Sequence, residues 1–198
     1  MSEPAVGEGR HWRTIDELAA LVGAYCWLEH RIFEVSGAWA TAPGAEDEDV
    51  AELRVWSAAV SRRHGALAGR WADRLPVRAG VEPAALVTAP AEPEGLAEAF
   101  EELGATKALV SGVSALVETV LPWVGGVYGS HLAVAAPVSE ASVMEVLVEG
   151  RREAVAEIQG GRTLLERFAV ARKPSCHLSE VFKRAFTPKR VTPAVRPG

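Results

Sequence analysis

The sequence predicts an all-α protein in which four long helices form two hairpins joined by a long crossover, followed by a basic, proline-containing tail. Three observations carry this. Apolar residues recur three and four apart over long stretches, the repeat of one face of an α-helix. No segment alternates apolar and polar residues at the period of a strand. Helix breakers gather between residues 74 and 93, at Pro76, Gly80, Pro83, Pro90 and Pro93, which makes this segment the crossover. With 198 residues, 48% of them hydrophobic and 24% charged, the composition excludes disorder throughout and is sufficient for a core without disulfides.

The first helix is predicted from Thr14 to about Ala40, with Leu18, Leu21, Val22, Tyr25, Leu28, Ile32, Phe33 and Trp39 on its inner stripe and Pro43-Gly44 as its stop. The second runs from about Asp47 to Asp73 on Val50, Leu53, Trp56, Val60, Leu67 and Trp71, with acidic residues in the first turn where the helix dipole favours them. The third starts near Glu94 and continues to about Ala135, kinked at Pro122, which lacks an amide donor. The fourth follows Pro137, with Ser139 or Ser142 as its N-cap, and ends near Ala171; Ser142 and Glu145 have the spacing of a capping box, and Gly160-Gly161 weakens the helix locally. The expected division is a helical body over 12–171 and a tail over 172–198.

Charge is unevenly placed. From Arg172 onward seven Lys or Arg face one acid, Glu180, so with −5 overall the first 171 residues carry −11. Four prolines in this tail oppose a core of its own, although Leu178 to Phe186 has the pattern of a short amphipathic piece with Val181, Phe182 and Phe186 inward. The expected behaviour is a solvated tail lying on an acidic surface, of this body or of a partner. Cys26 and Cys176 match no metal or redox spacing, and the acidic N-terminus has no apolar run, which together suggest reduced thiols in a cytoplasmic protein. Between Lys107 and His131 the only formal charge is Glu118, so the stretch is long enough to span a bilayer. Its glycines, Pro122 and the lack of a flanking basic cluster favour a buried helix and no membrane.

Each helix then offers one potential ligand near its middle: Glu29, His64, Glu118 and Glu149. Glu118, in an almost uncharged stretch, is expected to be buried, where a carboxylate needs a cation, a metal or a proton. Di-iron carboxylate bundles take one Glu from each of two helices and a Glu-x-x-His pair from each of the other two, because iron prefers carboxylate and imidazole ligands. The separations match across the two hairpins, 35 residues from Glu29 to His64 and 34 from Glu118 to Arg152.

At these residues the chain resembles the ferritin-like superfamily, and more closely its small actinobacterial-type members. The resemblance spans roughly 12–170 and rests on SRRHGALAGRWADRLP in the second helix and LAVAAPVSEASVMEVLVEGRREAVAEIQGGRTLL around the fourth. It implies a four-helix bundle with a long crossover and a di-iron site at the positions above. Two departures stand out. Ser61 occupies the place of a carboxylate in Ser61-Arg62-Arg63-His64, and Arg152 that of a histidine in Glu149-Gly150-Arg151-Arg152. Arg152 cannot lose its proton, so it is expected to pair with Glu118 or Glu149 in place of a metal.

Other polar residues read more simply. His30 and Glu34 read as rim groups, His131 as a helix-end residue meeting the dipole, Cys26 as packing and the six tryptophans as core and interface aromatics. No nucleophile elbow, phosphate loop, dinucleotide fingerprint, zinc spacing or nucleic-acid motif is present. The sequence therefore suggests a non-catalytic ferritin-like protein with a degenerate site and no cofactor, acting by binding a ligand or protein, with a homo-oligomer as one form of partner. The alternative is an iron- or manganese-binding oxidoreductase using Glu29, His64, Glu118 and Glu149. A scaffold whose basic tail docks on an acidic partner is a third reading.

Overall fold

Helix α1 (Ile15–Thr41) begins where Thr14 leaves helical geometry. The Thr14 hydroxyl accepts from the Glu17 amide while the Glu17 carboxylate accepts from the Thr14 amide, so two amides that a helix start leaves bare are satisfied. In the computed structural model the described residues are 13–42, 48–77, 79–90 and 94–168, and they contain helices and no strand. Helix α2 (Glu48–Ala72) returns along α1, and the two pack over most of their length. Both lie within a residue or so of the limits expected from the sequence. The basic tail and its amphipathic piece at Leu178 to Phe186 lie outside the described residues, as do Trp12, His11 and Cys176.

Among its described residues the crossover is as irregular as its prolines demand, with one 3-10 turn at Pro83–Leu86. It crosses α1 at Gly23. A β-carbon at that position would lie 1.9 Å from the Leu86 carbonyl oxygen, so glycine alone admits this backbone contact.

The third helical stretch differs from the single kinked helix expected from the sequence. It divides into α3 (Leu96–Gly104), α4 (Leu109–Ala115), a π turn (Leu116–Val120) and α5 (Leu121–Val134). Gly95 precedes α3 in the left-handed region at φ 84°, which a residue with a side chain would resist. Pro122 sits in the first turn of α5 and has no amide to offer the turn before it. The Leu121 amide instead reaches back five residues to the Leu116 carbonyl, which is the widened π bond.

Helix α6 (Ala141–Glu166) follows a short link and pairs with α5 and with α2. Its N-cap is Glu140 rather than Ser139 or Ser142, and the Glu140 side chain turns away from the helix start to the partners described below. Leu109–Val134 is one stretch long and apolar enough to cross a membrane, yet half of its most apolar window is covered by the protein. Val113, Leu116, Val117, Val120, Leu121 and Val124 join the same core as Ile32, Leu53, Val60, Trp71, Phe100 and Leu147.

The crossing at Gly23 yields a test. Gly23→Ala should destabilise the protein by about 1–3 kcal/mol, since the new methyl forces α1 away from the crossover. Gly69→Ala should stabilise it by roughly 0.5–1 kcal/mol, because that glycine lies in a helix with nothing within 4 Å of a new β-carbon. Urea unfolding of both variants checks the pair, and equal effects would contradict the packing described.

Candidate functional site

Four helices each lend a polar group to one buried centre. Glu29 of α1 and His64 of α2 were both indicated by the sequence, and they meet. The stripe residues around them, Ile32 on α1 and Val60 and Leu67 on α2, fix the helix faces that point inward. His64 Nδ1–H donates to Glu29 Oε2, and Nε2–H donates to Glu157 Oε2 of α6 at 2.8 Å. The second oxygen of Glu29 accepts from the Tyr128 hydroxyl of α5, and the second oxygen of Glu157 accepts from Arg63 Nε–H at 2.7 Å. Glu29, His64, Tyr128 and Glu157 are all buried.

Charge explains why this holds together. Burial alone would drive His64 to its neutral form, but the Glu29 charge and the hydrogen bonds His64 donates to both carboxylates outweigh it and push its pKa up to about 10. The ring is therefore an imidazolium at neutral pH. The two buried carboxylates are thus matched by the imidazolium and by the Arg63 guanidinium, which reaches Glu157 from the partly exposed side, where it also lies 3.8 Å from Glu153. Burial and the neighbouring Glu29 carboxylate raise the Tyr128 phenol well above its usual pKa and keep it a donor.

A second buried chain lies one helical turn away along α1. Tyr25 O–H donates to His131 Nδ1 at 3.0 Å, and His131 Nε2–H donates to Glu140 Oε2 at 2.6 Å. Glu140 also accepts from the Ala136 amide at 3.2 Å and from Arg13 Nη1 at 3.0 and 3.1 Å. Burial works against the Glu140 charge, but His131, the amide and Arg13 hold its carboxyl below the usual range. For His131 burial dominates over Glu140 and lowers its pKa, which fixes the neutral tautomer with its proton on Nε2. Burial raises Tyr25 to about 12, so it too remains a donor. The two chains meet through rings: Tyr25 meets Tyr128 edge to face at 5.1 Å, and Trp71 packs on both at 5.0 and 5.9 Å.

The other residues indicated by the sequence lie elsewhere. Glu118 is exposed, on a stripe with Pro122, Gly126, Ser130 and Ala133. Glu149 is half-buried and pairs with Arg70 on α2. Arg152 is 74% exposed and bonds Glu153, so it reaches neither Glu118 nor Glu149. The cause is helix phase: the inward face of α6 runs through Val143, Val146, Gly150, Ala154, Glu157 and Gly161, to which 149 and 152 do not belong. Gly150 matters instead, because a β-carbon there would sit 2.7 Å from the Tyr128 ring. Ser61 is buried but ties α2 to α1 by donating to the Phe33 carbonyl at 2.9 Å.

Sequence reasoning missed Arg63, Tyr128, Glu157, Arg13 and Glu140. Arg63 lay on the readable stripe of α2 with Val60 and Leu67, Tyr128 and Glu157 lay on helices whose phase the sequence leaves open, and nothing in the link before α6 distinguished Glu140. His131 does end α5, yet as a neutral group bonded on both nitrogens rather than a cation on the dipole. Phe33, assigned to the inner stripe, is 39% exposed beside His30, which is itself exposed; Glu34 is a surface group paired with Arg31. Cys26 is buried, its thiol raised in pKa by burial and bonded to the Ala68 carbonyl, as packing requires.

Among the described residues no group of three or more His, Cys, Asp or Glu side chains is arranged to hold a metal ion. At the buried centre both His64 nitrogens point their protons at carboxylates, which removes the lone pair a metal would need. Comparison with family models, curated proteins and solved structures finds no match for this chain.

Two measurements follow. Glu29→Ala and Glu157→Ala should each cost about 3–5 kcal/mol by stranding a buried cation, while Arg152→Ala should stay within about 0.5 kcal/mol. Chemical denaturation of the three variants separates this centre from one built on Arg152. The pH profile is the second. Since His64 has a raised pKa in the folded state, its stabilisation is complete below the unfolded value near about 6.5 and is lost as pH climbs toward about 10. His131 has a lowered pKa and acts oppositely, its contribution being full above about 6.5 and lost on acidification. A melting profile of His64→Gln should lack the alkaline decline, and one that keeps it contradicts the imidazolium.

Proposed function

We propose that the chain is a non-catalytic, ferritin-like helical bundle in which a fixed set of internal charges stands where members of that superfamily hold metal, and that it acts by binding. The observation that carries this reading is His64, bonded on both nitrogens by Glu29 and Glu157, with Arg63 completing the charge balance. Two helical hairpins joined by a long crossover support the bundle topology. So does the placing of the centre between the two hairpins, where His64 of α2 meets Glu29 of α1 and Glu157 of α6. A cluster already neutral with two cations gains nothing from two further divalent ions.

Of the ligands of the oxidoreductase alternative, Glu29 and His64 meet but the other two lie apart from them. Of its four ligands, Glu118 is exposed and Glu149 is engaged by Arg70 at the surface.

Metal analysis by mass spectrometry tests the proposal, using the full chain purified without an affinity tag and again after anaerobic incubation with Fe(II) or Mn(II) and desalting. The expected content is below about 0.1 equivalent of either metal in both samples. About one equivalent or more of iron or manganese overturns the reading.

A further inference from the structure

Between α1 and α5 the surface opens into a pocket of about 590 Å³. Its walls are the half-buried apolar side chains of Leu21, Trp123, Val127 and Val134, and the buried Tyr25–His131 pair lies at its base. This size suits a small organic ligand. Of the residues lining it, Arg13 alone carries a formal charge, since His131 is held neutral and Glu140 lies beneath, 1% exposed and outside the lining. Arg13 keeps 19% of its side chain exposed, and among the described residues it meets Glu140 through Nη1. The face offered to a ligand is therefore an apolar wall with one guanidinium at its edge.

We propose that this pocket binds a monocarboxylate with a compact aromatic body, its carboxylate on the Arg13 guanidinium and its ring against Trp123 and the aliphatic wall. Arginine presents a planar fork that matches a carboxylate, and an aromatic ring fills an apolar wall with little loss of internal freedom. The inference rests on the reading that the protein acts by binding, but it uses a site separate from the His64 centre.

Calorimetric titration of the full chain with 2-naphthoate, 2-naphthamide and 2-naphthylmethylammonium tests it. Saturable binding of one naphthoate per chain is expected, with the neutral amide at least about tenfold weaker and the cation not bound. Arg13→Gln should weaken naphthoate about tenfold or more and leave the amide unchanged. Because Arg13 also pairs with Glu140, a second variant guards against misfolding: Gly126→Leu fills the pocket from its rim, at a position where a new β-carbon meets nothing within 4 Å. It should abolish binding of both ligands without lowering the melting temperature. No saturable heat with naphthoate up to about 1 mM, equal affinity for the amide, or binding that survives Gly126→Leu each overturns the proposal. Sedimentation showing a dimer that Gly126→Leu dissociates also overturns it, by assigning the face to a second copy of this chain. Metal uptake would refute the proposed centre and leave these titrations untouched, so the two failures are distinguishable.

Discussion

An imidazolium held between two buried carboxylates is the constraint on which the helical packing turns. Taking Glu29 and Glu157 out of water is unfavourable by several kcal/mol for each ion, and only a cation with two donors set on opposite edges can offset both. His64 supplies that geometry, and Arg63 from the neighbouring position balances the charge left over. Such clusters add little net stability compared with a well-packed apolar core. What this one requires is directional: α1, α2, α5 and α6 must bring Glu29, His64, Tyr128 and Glu157 to the same depth, or a buried charge is left without a partner. Sliding any of these helices by one turn breaks at least one of the four bonds.

Glycine supports this arrangement from the rear. The Tyr128 ring, whose hydroxyl reaches Glu29, runs close to α6, and the missing side chain at Gly150 leaves the room. A similar economy operates on the far side of α1, where Gly23 admits the Leu86 carbonyl. Helix α1 is thus packed on three sides, by α2, by the crossover and by the polar centre, and its position leaves little freedom to the rest.

Much of this was legible in the sequence, for identifiable reasons. Apart from Phe33, the large apolar residues of the expected stripes phase α1 and α2 well, so the limits of both helices and the inward aim of Glu29 and His64 could be read directly. Phase failed in α5 and α6. The solvent-facing stripe of the third helical stretch is Glu118, Pro122, Gly126, Ser130 and Ala133, which carries one charge in five positions, so the stretch looked buried all round and Glu118 with it. In α6 the inward face contains Gly150, Ala154 and Gly161, while Val148 and Val155 are exposed at 57% and 51%. Glu149 was chosen for standing beside Val146, which is itself buried, and Arg152 for its 34-residue separation from Glu118, so Glu157, on the inward face with Gly150, Ala154 and Gly161, was passed over. Small residues used for close approach carry no hydropathic signal, and this fold places them beside its most consequential polar groups.

The two buried chains also differ in what can reach them. The centre around His64 is sealed except on the Arg63 side, whereas the chain through Tyr25 ends at Arg13 on the wall of an open pocket. An anion on Arg13 competes with Glu140 for the guanidinium, and Glu140 is the acceptor that fixes the proton of His131 on Nε2. Any weakening there passes to the Tyr25 hydroxyl, whose acceptor is the other nitrogen of the same ring. It stops at that point as far as protons are concerned, because Tyr25 meets Tyr128 and Trp71 through ring faces and edges with no hydrogen bond between the two tyrosines. In the proposed complex the outer chain would exchange partners at Arg13 while the inner cluster, joined to it by no hydrogen bond between the two tyrosines, would keep its own, so that a polar binding edge need not disturb the charges that set the helices in register.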